Sequence, residues 1–141
     1  MCRASIISRI ISLVLDDPIR DWFLELQACV RAVDYERAER IFAPDVVGFG
    51  TFTGVAAGRA NLRREQWSHI WPNIREFTFR LDELHGGPSG DFAWAICPWD
   101  SLGTRPDGST FARPGRATVI LERREGRWLA VHTHFSLYPQ P

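Results

Sequence analysis

A chain of 141 residues with 17 basic and 17 acidic side chains carries no formal net charge, which leaves no field to draw in nucleic acid or an anionic membrane. That length suits one domain able to bury roughly two thirds of its unfolded surface. Every basic residue is arginine, a bias of GC-rich coding before it is chemistry, and Cys2, Cys29 and Cys97 show neither pairing nor metal-ligand spacing. Reduced thiols and a cytoplasmic location are the expectation.

Residues 1–16 read as an N-terminal extension. Ile6, Ile7, Ile10, Ile11 and Val14 fall on one face of a short helix, but Arg9 interrupts the run, Asp16 and Asp17 follow it, and no small-residue cleavage site is present. It fails as a signal peptide and is too short to span a membrane. Residues 17–141 form the main domain, opening on Asp17-Pro18, an N-cap followed by proline in the first helical position. Ile19, Trp22, Phe23, Leu26, Val30 and Val33 then recur at helical spacing. Asp34 caps a second, shorter helix carrying Tyr35, Ala38, Ile41 and Phe42, which Pro44 closes.

A short strand over 46–53 holds glycines at 48 and 50, the mark of close backbone approach. After a turn at 54–58, a third helix over 59–71 aligns Leu62, Gln66, Trp67, Ile70 and Trp71, and Pro72 ends it. From residue 76 the period becomes two, with Phe77, Phe79 and Leu81 opposite Thr78, Arg80 and Asp82. A glycine-rich turn over 86–90 leads to an apolar strand over 91–100, and Pro106-Asp107-Gly108 turns into a strand over 110–124, where Pro114-Gly115 forces a bulge or a late start. Arg123-Arg-Glu-Gly126 connects that strand to a last one, the two forming a β-hairpin. The element order is that of an α+β domain with helices on one face of a curved antiparallel sheet.

Asp21-Trp22-Phe23, Ala43-Pro44-Asp45-Val46 and above all Leu121-Glu-Arg-Arg-Glu-Gly-Arg-Trp-Leu-Ala-Val-His-Thr-His-Phe-Ser136 resemble the nuclear-transport-factor-2-like superfamily in its SnoaL-like, ketosteroid-isomerase-like branch. The resemblance spans about residues 18–139. It implies a cone of strongly curved antiparallel sheet wrapped around three N-terminal helices, often dimeric through the convex face. That superfamily holds isomerases, hydrolases, cyclases and dehydratases as well as association domains and carriers, so fold alone does not choose a function.

Alternation in the last strand puts Leu129, Val131, Thr133 and Phe135 on one face, and Trp128, Ala130, His132, His134 and Ser136 on the other. The apolar set is assigned to the concave side; a bulge would reverse the parity. In the 91–100 strand, the family register turns Trp94, Ile96, Pro98 and Asp100 inward. Asp100, at the end of an aromatic row, is then the candidate proton-transfer group with its pKa raised by desolvation, and His134 or Asp82 is its helper. The expected pocket wall comprises Trp22, Phe49, Trp67, Trp71, Trp94, Ile96, Val119 and Phe135, suited to an apolar small molecule. No phosphate-cradling glycine loop, Gly-x-Ser-x-Gly elbow or His-Glu-x-x-His is present, and no metal or cofactor is expected. Two readings stay open: a cofactor-independent enzyme doing proton transfer or water addition, and a non-catalytic hydrophobic-ligand binder or dimeric association domain.

Overall fold

The structure, a computed structural model, describes residues 17–139, so the expected N-terminal extension lies outside the described residues. Helix α1 (Pro18–Ala32) starts where the Asp17 carboxylate accepts the Arg20 N–H at 3.1 Å, and stops at Val33, whose φ of 51° breaks the helical repeat. Its stripe of Trp22, Phe23, Leu26, Cys29 and Val30 is buried. Burying each of the large members contributes roughly 1.5–3 kcal/mol. Helix α2 (Tyr35–Glu39) is capped in the same way by Asp34, but ends three residues earlier than its apolar spacing predicts. Phe42 already belongs to β1 (Phe42–Phe49), with Pro44 inside that strand.

β1 pairs with a two-residue strand β2 (Ala56–Ala57) and leads into the third helical segment. This segment is composite: α3 (Arg59–Leu62), a π turn (Arg63–Trp67), α4 (Ser68–Ile70) and a 3₁₀ turn (Trp71–Asn73). The sheet continues with β3 (Ile74–Phe79), β4 (His85–Ser89), β5 (Phe92–Thr104), β6 (Thr110–Ala112), β7 (Gly115–Arg124) and β8 (Arg127–Leu137). Strand order is β2-β1-β8-β7-β5-β3, with β4 and β6 also paired to β5. All these pairs are antiparallel except β1 with β8, which run parallel, so the sheet is mixed. The architecture is the curved α+β cone that the sequence resemblance implies. Among the described residues, no helix is long and apolar enough to cross a membrane.

Two local readings are corrected. The glycine-rich stretch at 86–90 is mostly strand β4, and the chain reverses only at Gly90, where φ is 63°. β5 turns its other face inward: Ala93, Ala95, Cys97, Trp99 and Ser101 are buried, while Trp94 and Ile96 are 47% and 42% exposed. Ala93, Ala95, Cys97 and Trp99 join the same buried core as the apolar stripe of α1. The register carried over from the family resemblance is therefore reversed in this strand.

β8 contains the bulge that alternation could not locate. Ile120 pairs with His132 and Leu121 with Ala130, leaving Val131 unmatched. Ala130, Thr133 and Phe135 consequently share the inner side with Leu121, Val119 and Ala117, and the partly buried Trp128 packs against the same core. Thr133 and Phe135 sit as expected, whereas Leu129 and Val131 give their places to Trp128 and Ala130. Both free cysteines in the described chain, Cys29 and Cys97, are buried, and desolvation pushes each thiol up to about 11. Neither is suited to react as a thiolate at neutral pH.

Candidate ligand-binding site

The curve of the sheet closes over a cavity whose wall comes from every layer of the fold. α1 supplies Leu26 and Val30, β1 Phe42 and Phe49, the composite helix Leu62, Gln66, Trp67, Ile70 and Trp71, and the sheet Phe77, Trp99, Thr133 and Phe135. Thr51, Ile74 and Arg113 complete it. The space open to a water centre is about 40 Å³. One water needs roughly 10–15 Å³ on that measure, and a cavity known to take benzene measures roughly 150 Å³, so the cavity as it stands has room for about three waters and must widen to admit a ring.

An aromatic ladder forms one side. Trp67 and Trp71 stack with centroids 4.8 Å apart and planes at 15°, Trp71 continues onto Tyr35 at 5.4 Å, and Phe42 meets Trp67 edge-on at 4.7 Å. The π turn presents both Gln66 and Trp67 to the interior. Such turns recur at functional sites.

The polar end gathers Thr51, Gln66, Trp99 and Arg113. Gln66 Oε1 accepts the backbone N–H groups of Phe52 and Thr53 at 3.1 and 2.8 Å, pinning the loop after β1. Gly50 permits this, because a Cβ there would stand 2.6 Å from Gln66 Nε2. Thr51 Oγ1 accepts from Gln66 Nε2 at 3.3 Å and from Arg113 Nη2 at 2.7 Å. The Arg113 guanidinium lies 5.7 Å over the Trp99 ring, and burial pulls its pKa below the ordinary arginine value. Trp99 is 1% exposed, and its Nε1–H is buried without a hydrogen-bond partner.

Of the residues expected in the pocket, Phe49, Trp67, Trp71 and Phe135 line it. Trp22 and Val119 are buried beside the cavity in the core, Trp22 with its Nε1–H donating to the Ile41 carbonyl at 2.8 Å. Trp94 and Ile96 lie on the outer face of the sheet.

The expected catalytic group does not assemble in the cavity. Asp100 points outward and holds Arg80 in a two-pronged ion pair at 2.8 and 2.7 Å. That hydrogen-bonded guanidinium keeps the Asp100 carboxyl below its ordinary pKa, the reverse of the raised value expected of a buried general acid. Asp82 is exposed on a 3₁₀ turn (Leu81–Glu83) rather than on a strand. His134 is on the convex side, 4.3 Å from the Phe49 ring, and desolvation, then His132 and Arg116, hold its pKa below the usual imidazole value. His132 Nδ1–H donates to the Val47 carbonyl at 2.8 Å. Among the described residues, no carboxylate or imidazole lines the cavity, and no cluster of three or more His, Cys, Asp or Glu is arranged to hold a metal ion.

Sequence reading missed Arg113, Trp99 and Thr51. Gln66 had a signal, a polar residue within the apolar stripe of the third helix. Trp99 was hidden by the wrong strand face, and Arg113 is one of 17 chemically identical side chains.

The profile of the SnoaL-like domain matches residues 19–141, and the chain belongs to that family. A search of curated proteins finds no match. Similar solved structures include a nuclear transport factor 2-like superfamily protein from Salmonella enterica, 19% identical, with TM-score 0.74 over 86% of this chain and 89% of that one. A ketosteroid isomerase-like protein from Erwinia carotovora atroseptica is 14% identical, with TM-score 0.73 over 87% and 95%. An NTF2-like protein with a cystatin-like fold from Novosphingobium aromaticivorans is 17% identical, with TM-score 0.74 over 98% and 91%. At such identities the likeness is one of fold.

Proposed function

We propose that this domain binds a small, mostly apolar molecule in its cone and does so without proton-transfer chemistry. The observation that carries the reading is the wall itself: aromatic and aliphatic side chains surround a small cavity whose only polar side chains among the described residues, indole N–H groups aside, are those of Thr51, Gln66, Arg113 and Thr133. A few polar groups in an apolar pocket fix orientation and selectivity. Acid–base catalysis needs a titratable group within reach of substrate, and Asp100, Asp82 and His134 are all outside. The test is titration of the full chain with toluene, followed through the indole N–H signals by two-dimensional NMR. Saturable shifts at Trp67 and Trp71, unchanged in Asp100→Asn, support the reading. No saturable shift would refute it.

We further propose that a second copy covers the convex sheet face. There Trp94 lies beside Ile120 and His132 on adjacent strands, and Ile96 beside Thr118 and His134. Exposed apolar side chains so close together call for a partner surface, and the family resemblance puts dimers on this face. Trp94→Glu should then halve the mass seen by light scattering while leaving the fold intact by circular dichroism. A monomeric parent protein, or a variant of unchanged mass, would count against this interface.

A further inference from the structure

The polar corner of the cavity has an unusual imbalance: its uncommitted hydrogen-bonding groups are donors. Trp99 Nε1–H is buried with no acceptor. Thr51 Oγ1 already accepts from Gln66 and Arg113, so its own O–H remains available to donate. Gln66 Oε1, the one side-chain carbonyl present, is taken by two backbone N–H groups. Arg113 presents five N–H donors, and its side chain has the Thr51 hydroxyl as its hydrogen-bond acceptor among the described residues.

The charge is equally unbalanced. Six arginines of the described chain stand within 4.0 Å of a carboxylate. Arg113, partly buried and lining the cavity, has no such partner among the described residues. A guanidinium does not shed its proton, so its desolvation cost is offset only by an anion or by water. The Trp99 ring, whose own N–H also lacks an acceptor among the described residues, stands 5.7 Å from that guanidinium and lines the same cavity. An orphaned buried donor in a native fold calls for a missing acceptor.

We infer that Arg113, with the Trp99 indole N–H and the Thr51 hydroxyl, forms the receptor for a carboxylate carried by a single-ring or similarly compact apolar acid. This inference rests on the cavity being a ligand pocket, as proposed above. A carboxylate is an acceptor-only group that matches a donor-only corner, and its planar pair of oxygens suits the guanidinium fork. The Trp67–Trp71 ladder and Phe135 would take the apolar part, and since the cavity must widen from about 40 Å³ to admit even one ring, one ring is the upper limit for that part. An amide of the same shape brings donors that would face donors, and a larger ring system would not enter.

The test compares benzoate with toluene on the full-length protein at neutral pH, by calorimetry and by indole N–H shifts in two-dimensional NMR. One of the six tryptophan signals, assigned to Trp99 by its loss in Trp99→Phe, should move downfield with benzoate and much less with toluene. Arg113→Gln should weaken benzoate binding by about tenfold or more, the scale of losing a hydrogen bond to a charged group, and change toluene binding little. Thermal unfolding of both variants checks that they fold, and the parent comparison of the two ligands stands if either does not. Toluene binding equal to or tighter than benzoate binding would overturn the carboxylate receptor and leave the pocket reading intact. Benzoate binding indifferent to both substitutions would do the same. Binding of neither compound would remove the pocket reading and this inference together.

Discussion

Trp99→Ala should lower the unfolding free energy by about 3–5 kcal/mol, whereas Trp99→Phe should cost less than about 1.5 kcal/mol and still abolish selective binding of the acid. The indole is 1% exposed and sits against Phe77 at 5.4 Å, Phe135 at 6.4 Å and the Arg113 guanidinium at 5.7 Å. Alanine would leave a void in the middle of that cluster, next to an existing cavity, and the curved sheet cannot collapse to fill it. Phenylalanine keeps most of the packing and deletes the unpartnered N–H. Since a buried unsatisfied donor costs about 1–3 kcal/mol, its removal offsets much of the lost volume. Urea unfolding of the two variants measures the stability difference, and benzoate titration of the phenylalanine variant measures the functional loss. A phenylalanine variant as unstable as the alanine one would mean that the N–H is satisfied by ordered water and carries no such strain. The contrast follows a general trade: groups kept for recognition are tolerated at a cost in stability.

What the sequence made legible divides along physical lines. Caps and helical stripes are local, set by residues three or four apart. Asp17, Pro18, Asp34 and the Trp22-to-Val30 stripe could therefore be read directly. Most strands were legible from their period-two runs, but the start of β1 read as helix and β4 read as a turn. Strand faces were not, because alternation gives two sets without saying which is inside. In β5 the buried set is Ala93, Ala95, Cys97 and Trp99, less bulky overall than the exposed set with Trp94 and Ile96. Which set is buried depends on what the fold packs against the strand, and that is tertiary. The parallel pairing of β1 with β8 joins residues more than eighty positions apart, beyond any local pattern, and the bulge at Val131 is a shift of register between β7 and β8 that alternation within one strand does not show.

The site divides similarly. Trp67 and Trp71 were legible as one helical face, and both line the cavity. Phe49 and Phe135 also line it. The polar corner was not legible, since it joins the loop after β1, the π turn, β5 and the residue before Pro114, four segments that meet only in the folded chain. Asp100 drew attention because carboxylates beside aromatic residues titrate unusually. Once its strand face is reversed, the same residue becomes half of an exposed ion pair, with its side chain 51% exposed and Arg80's 35%. Exposed pairs of this kind contribute about 0.2–1 kcal/mol, so Asp100 belongs to the surface in energy as well as in place.

Gly115→Ala is the substitution that should couple stability and binding most directly. Gly115 opens β7 immediately after Pro114, is buried, and pairs with Leu137. A Cβ there would lie 2.2 Å from Trp99 Cζ2 and 2.3 Å from the Ser136 carbonyl oxygen, distances that real Cβ contacts do not reach. The carbonyl belongs to the neighbouring strand backbone and cannot rotate away, so either the β7–β8 pairing opens at this end or the indole is driven toward Phe77 and Phe135. Overpacking of this kind costs about 1–3 kcal/mol, a fall in Tm of roughly 3–12 °C for a domain of this size. Because Arg113 is only two residues before Gly115, the same displacement should misplace the guanidinium and the indole N–H together. Calorimetric unfolding and benzoate titration on one sample decide it. A normal Tm with normal affinity would show that the strand end yields freely, and the rigid seat argued here for Trp99 would have to be abandoned. A lowered Tm with weakened benzoate binding and preserved toluene binding would identify Gly115 as the residue that lets a large indole stand at the polar corner of the cavity.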